Sequence, residues 1–163
     1  MLGRPPGRET CAATILGVSH AEQEQSGSHA WDRAPVADPL GTYVRHLGLD
    51  IVDVTPDSVR GTWEAAPHLH QPYGIVHGGV HCSVVETLAS VGAATWLADR
   101  GKVVGVNNNT DFFRAVTTGP MSSVATPLHR GRSQQLWLVE TTDEDGRLVA
   151  RGQVRLQNLY PEG

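Results

Sequence analysis

Cysteine is nearly absent from this 163-residue chain: Cys11 and Cys82 are the only two, far apart in sequence. No disulfide framework or metal-type cysteine pair follows from them, which fits a reducing cytoplasm. No apolar run reaches the roughly 18 residues a membrane span needs, because Glu86 interrupts the only contender. A net charge of -4 leaves no basic excess for nucleic acid. There is no GxSxG elbow, no phosphate-cradling P-loop and no HExxH. A secretory leader is weak as well, since the apolar run Cys11 to Val18 is short and Glu9 breaks the basic region before it. The expectation is a cytoplasmic protein that spans no membrane.

What is present falls into two parts. Residues 1–36 are rich in Gly, Pro, Ser, Glu and Gln without apolar periodicity, and read as a disordered extension. Residues 37–163 form one domain. Asp38-Pro39 is read as the cap and first turn of a short helix ending near His46. Leu47 to Thr55 and Val59 to Glu64 flank the turn Thr55-Pro56-Asp57-Ser58 and read as a hairpin. The loop Pro67 to Gly74 then delivers the chain to a helix. Four strand-like runs follow, Val103 to Phe113, Met121 to Leu128, Ser133 to Thr142 and Arg147 to Leu159, with connections short enough to demand antiparallel neighbours. In the last run Leu148, Ala150, Gly152, Val154 and Leu156 alternate onto one face.

The helix organises the rest. From Val80 to Ala98 almost every residue is apolar or small, and Asp99-Arg100-Gly101 stops it. Such a helix is read as buried, with a sheet wrapped round it. Ser83, Glu86 and Ser90 form one polar stripe along it, and a carboxylate on an apolar helix is costly unless satisfied. Glu86 is therefore the first candidate for chemistry. Gly78 and Gly79 open the helix, where free N–H groups and the positive dipole end favour negative charge.

The stretch Gln71-Pro72-Tyr73-Gly74-Ile75-Val76-His77-Gly78-Gly79, with Glu86 eight residues after Gly78 and Ser90 one turn on, resembles the hotdog-fold thioesterases. The branch it is most similar to contains the phenylacetate-pathway thioesterases, the enterobactin proofreading thioesterase and the Arthrobacter-type 4-hydroxybenzoyl-CoA thioesterase. The resemblance continues through Val104 to Asn109, Arg114-Ala115-Val116 and Pro127 to Arg132, and implies an α+β hotdog fold of five to six antiparallel strands around one long helix. It further implies hydrolysis of acyl-CoA, with CoA part of the substrate and no metal or other cofactor. Catalytic roles are implied for Gly78 (N–H to the thioester carbonyl), Glu86, Ser90, His77 and Gln71. Substrate contacts are implied for Gly79, Asn109, Phe112, Arg114, His129, Arg130, Gly131 and Arg132. Phe112-Phe113 departs from a histidine pair carried by relatives in the enterobactin branch, and implies a more apolar acyl pocket.

Eight helical residues separate Gly78 from Glu86 by about 12 Å, too far for one thioester to touch both. If both act, Glu86 meets the Gly78 of a neighbouring subunit, which implies a homodimer or a dimer of dimers. Each residue also has a plainer reading. Glu86 as the partner of a structural arginine, His77 as a cap, Gln71 as a loop tie, Ser90 bonded to its own helix and Arg130 and Arg132 as a solvated turn are the alternatives. His68, His70, His77 and His81 crowd 14 residues, with His77 and His81 at a spacing zinc sites use, but no HExxH-type pattern accompanies them and the resembled family is metal-free. The cationic excess from residue 100 onward, eight basic against six acidic, is either a solvated strand face or a phosphate-binding patch. A non-catalytic acyl-CoA-binding module is the alternative function, and a hotdog hydratase a remoter one.

Overall fold

The structure, a computed structural model, describes residues 40–161. The expected extension and the Asp38-Pro39 cap lie outside the described residues. The first helix, α1 (Gly41–Leu47), starts from Leu40 with no side-chain cap and ends on left-handed Gly48. Strands β1 (Asp50–Val54) and β2 (Val59–Ala65) form the expected hairpin, closed where the Thr55 hydroxyl accepts from Ser58 N–H at 2.9 Å. A single 3-10 turn, Pro67–Leu69, leads toward the long helix α2 (Gly78–Leu97). Strands β3 (Lys102–Phe112), β4 (Gly119–Arg130), β5 (Gln134–Thr142) and β6 (Leu148–Leu159) complete one six-stranded antiparallel sheet in the order β1-β2-β4-β5-β6-β3. This is the hotdog arrangement.

Helix α2 lies against all six strands, and its Val84, Val85, Leu88 and Ala89 meet Val59, Trp137, Val139, Val154 and Leu156 in one core. Among the described residues every buried side-chain nitrogen and oxygen but one, His81 Nδ1, has a hydrogen-bond partner. Gln135 is the hub: its Nε2 donates to Asn158 Oδ1 (2.8 Å) and to the Ala93 carbonyl (3.2 Å), while its Oε1 accepts from Trp137 Nε1 (2.9 Å).

Two expectations are corrected. The helix is not enclosed on every side: Cys82, Ser83, Glu86, Thr87, Ser90 and Ala94 stay half-buried on a face the sheet does not cover. One sheet can cover only one side of a helix, so the polar stripe is where the covering stops. The inward face of β6 is also not a strict alternation. Ala150 pairs with Thr141 and Leu148 with Thr142, so Val149 is an inserted residue, and Val149 and Ala150 are both fully buried.

A second bulge decides what the site contains. Gly105 pairs with Leu156 and Asn107 with Arg155, leaving Val106 unpaired. The insertion shifts the side-chain phase of β3 by one residue. Asn108 and Thr110 consequently point at α2, opposite Val154 and Gly152, whereas Asn107 and Asn109 point away.

Candidate active site

The approach to α2 is tied down by backbone. Val76 N–H donates to the Val116 carbonyl (2.8 Å) and His77 N–H to the Leu69 carbonyl (2.9 Å). Gln71 begins a tight turn that Gly74, at φ +73°, closes; its side-chain amide has no partner among the described residues. His77 is the helix N-cap, its Nδ1 accepting from Gly79 N–H at 2.9 Å. That bond fixes Nδ1 as the acceptor, so the ring proton of the neutral imidazole resides on Nε2. It also occupies the Gly79 donor, while Val80 N–H donates to the His77 carbonyl. Gly78 N–H is left without a partner among the described residues, at the positive end of a 20-residue helix.

Phe112 packs against Gly78. A Cβ on Gly78 would come within 2.9 Å of the Phe112 ring, so only glycine permits the present packing. Together with Gln71, Ile75, Val76, Phe113 and Arg114, the two border a cavity of about 190 Å³. Its inner wall includes His81, which is 3% exposed and sits 5.6 Å from Trp63 and 5.8 Å from Phe112, centroid to centroid. The Nδ1 of His81 is enclosed without a hydrogen-bond partner, and burial holds its pKa down to about 4. His81 is therefore a neutral imidazole at neutral pH. Sequence reading noticed it only as one of four clustered histidines. The structure disperses that cluster: His68 Nε2 meets the His46 carbonyl and His70 Nε2 the Thr117 carbonyl.

Glu86 projects from the uncovered face of α2 toward β3. Asn108 Nδ2 donates to Glu86 Oε2 (3.1 Å) and to the Cys82 carbonyl (3.0 Å), and Thr110 Oγ1 donates to Asn108 Oδ1 (2.7 Å). The other carboxylate oxygen rests on Gly105, where a Cβ would stand 2.1 Å from Oε1. No arginine pairs with Glu86 among the described residues. Ser90, one turn on, is half-buried and makes no bond to its own helix, unlike Ser83, Thr87 and Thr95. Asn108, Thr110 and Gly105 were not singled out from sequence. The triple asparagine 107–109 was visible, but only the bulge tells which member faces the helix, and it is Asn108; Asn109 lies exposed on the opposite face of β3.

The loop after β4 is shaped by the core. Asn158 Nδ2 donates to the carbonyls of Gly131 and Arg132, both at 3.0 Å, and Tyr160 donates to the Arg132 carbonyl at 2.7 Å. The two arginines then differ. Arg130 is engaged by Asp57 and the Pro56 carbonyl, both at 2.8 Å, and its guanidinium flanks Trp96. Arg132 is exposed with no side-chain partner among the described residues, as are His129 and Arg114.

The Thioesterase superfamily profile matches residues 73–150. A Mycobacterium tuberculosis protein named provisionally as an esterase is 53% identical over 116 residues, covering 69% of this chain and 83% of its own. The proofreading thioesterase EntH of Cronobacter turicensis is 36% identical over 111 residues, covering 68% of this chain and 81% of its own. Among solved structures, AziG of S. sahachiroi is similar with a TM-score of 0.74 and 56% identity, covering 75% of this chain and 99% of its own. A thioesterase of Haemophilus influenzae is similar at TM-score 0.70 and 28% identity, covering 77% and 85%.

Proposed function

The chain belongs to the thioesterase superfamily, and from that membership we propose that it hydrolyses acyl-CoA to free acid and CoA, using Glu86 and the Gly78 amide. The observation that carries this reading is the pairing of an unpartnered N–H at a helix N-terminus with a carboxylate held half-open on the same helix. The N–H stabilises charge developing on the thioester oxygen. The carboxylate either takes a proton from water, whose oxygen attacks the carbonyl carbon, or attacks that carbon itself to form an anhydride that water then opens. Both routes consume one water, break the C–S bond and release CoA as the thiol.

Because the two groups are about 12 Å apart along α2, one thioester reaches both only if they come from different subunits. The reading therefore includes a homodimer, or a dimer of dimers, with Glu86 facing the partner's cavity mouth. The half-buried face of α2 and the outer edge of β3, which exposes Val104 and Val106, support it. His77 orients the helix start, Gln71 and Ser90 contribute polar contacts near the thioester, and Arg132 with His129 and Arg114 is available to the CoA phosphates. The open space bordered by Phe112 and Phe113 offers apolar contact to an aromatic or an aliphatic acyl group. The reaction needs no cofactor, and the pool of CoA thioesters it draws on is cytoplasmic. A free-thiol assay across aromatic, medium-chain and long-chain acyl-CoAs tests this. Hydrolysis that Glu86→Gln abolishes with the oligomer intact supports it, whereas an inert wild type moves the non-catalytic acyl-CoA-binding alternative forward.

A further inference from the structure

We propose that Asn108, held by Thr110, is the positioning residue that fixes the Glu86 carboxylate for reaction; this rests on the catalytic reading of Glu86 just given. A glutamate with three rotatable bonds on a half-exposed helix face samples many orientations, and a reacting group misplaced by about 1 Å loses much of its rate. Glu86 is confined from two sides. Gly105 gives Oε1 a seat that no larger residue leaves open, and Asn108 gives Oε2 a donor.

The asparagine is itself oriented without ambiguity. Its nitrogen faces two acceptors, the Cys82 carbonyl and Glu86 Oε2, and its oxygen faces one donor, the Thr110 hydroxyl. Turning the amide over would set Oδ1 against two acceptors and Nδ2 against a hydroxyl that now has to accept, so the flipped state loses at least two of the three bonds. Both Nδ2 hydrogens are used: one anchors the amide to the helix a turn before Glu86, the other spans to the carboxylate. Thr110 is in turn placed by Gly152 on the neighbouring strand, where a Cβ would come within 2.5 Å of Oγ1. The result is a rigid line from β6 through β3 to Glu86, and it exists only because the Val106 bulge turns residues 105, 108 and 110 to the same side. Both Nδ2 hydrogens being engaged, Asn108 acts through Glu86.

The test is steady-state thiol release by the full chain on its best acyl-CoA, with Glu86→Gln as reference and oligomeric state and melting temperature recorded throughout. Asn108→Leu, Asn108→Asp and Thr110→Val are each expected to lower kcat about tenfold or more while KM changes less than about twofold, because the Asn108 changes remove the hydrogen bond to Glu86 and Thr110→Val removes the bond that orients its donor. Asn108→Asp keeps the shape but sets a second carboxylate beside Glu86, so it is expected to fall at least as far as Asn108→Leu. Thr110→Ser, which keeps the hydroxyl, is expected to recover most of the rate that Thr110→Val loses. If Asn108→Leu does not fold, the Thr110 pair decides alone. An inactive Glu86→Gln alongside Asn108→Asp and Thr110→Val at wild-type kcat overturns the positioning role and leaves the catalytic reading standing; a Glu86→Gln enzyme at full rate overturns both.

Discussion

Replacing Gly105 by alanine asks whether the carboxylate needs its seat. The new methyl carbon would stand 2.1 Å from Glu86 Oε1 and 3.2 Å from its Cδ, while an ordinary contact begins near 3.4 Å. Oε1 has to retreat by about 1.3 Å, and the carboxylate that turns with it carries Oε2 off its bond from Asn108, already 3.1 Å long. A displacement of that order at a reacting group is worth about a hundredfold in rate, or about 2.7 kcal/mol of barrier. Stability should barely change. Glu86 is half-exposed and swings toward solvent, and Gly105 has ordinary strand dihedrals that alanine adopts with less loss of chain entropy, a gain of about 0.5 kcal/mol. The expected signature is therefore a kcat about a hundredfold lower with a melting temperature within a few degrees of wild type. Thiol release and a thermal scan on the same preparation read both. Wild-type kcat in a folded Gly105→Ala protein would refute the reasoning, since it would show that the orientation of Glu86 does not matter.

Burial lowers the His81 pKa from 6.5 to about 4, so between those pH values the unfolded chain takes up a proton that the folded chain refuses, and stability falls as pH drops through that window by up to about 3 kcal/mol. Urea titrations at pH 7, 5.5 and 4.5 should show a decline that is shallower in His81→Leu. Gln135→Met leaves Trp137 Nε1 and Asn158 Oδ1 without their buried partner and is expected to cost about 2–4 kcal/mol by denaturant midpoint. Arg132→Ala should raise KM for acyl-CoA and weaken its salt dependence with little change in stability. Arg130→Ala, whose side chain is engaged by Asp57, should leave KM nearly unchanged.

The long helix was legible because almost every residue from Val80 to Ala98 is apolar or small and caps bracket it; the hairpin and four further strands were legible from turn chemistry. Glu86 stood out as the charge that such a helix should not carry. Hidden from view were the places where β-strands break their period. Three of the bulges, at Val106, Leu128 and Val149, insert residues that look ordinary in sequence, yet each swaps which neighbours face the helix. His77 was weighed as a cap or as a catalytic group, and its Nδ1 does cap the helix by accepting from the Gly79 N–H rather than from that of Gly78. His81 was visible only as one of four clustered histidines, because a histidine within an apolar helix carries no local sign of its burial or of its missing partner.

The run Asn107-Asn108-Asn109 has a meaning beyond the contact that one of its members makes. Were the Val106 bulge to flatten with the residue retained, Val106 would pair with Arg155, and Asn107 would take the place opposite Val154 that Asn108 now holds. With adjacent identical side chains, an amide stays within reach of the acid in either pairing of this strand.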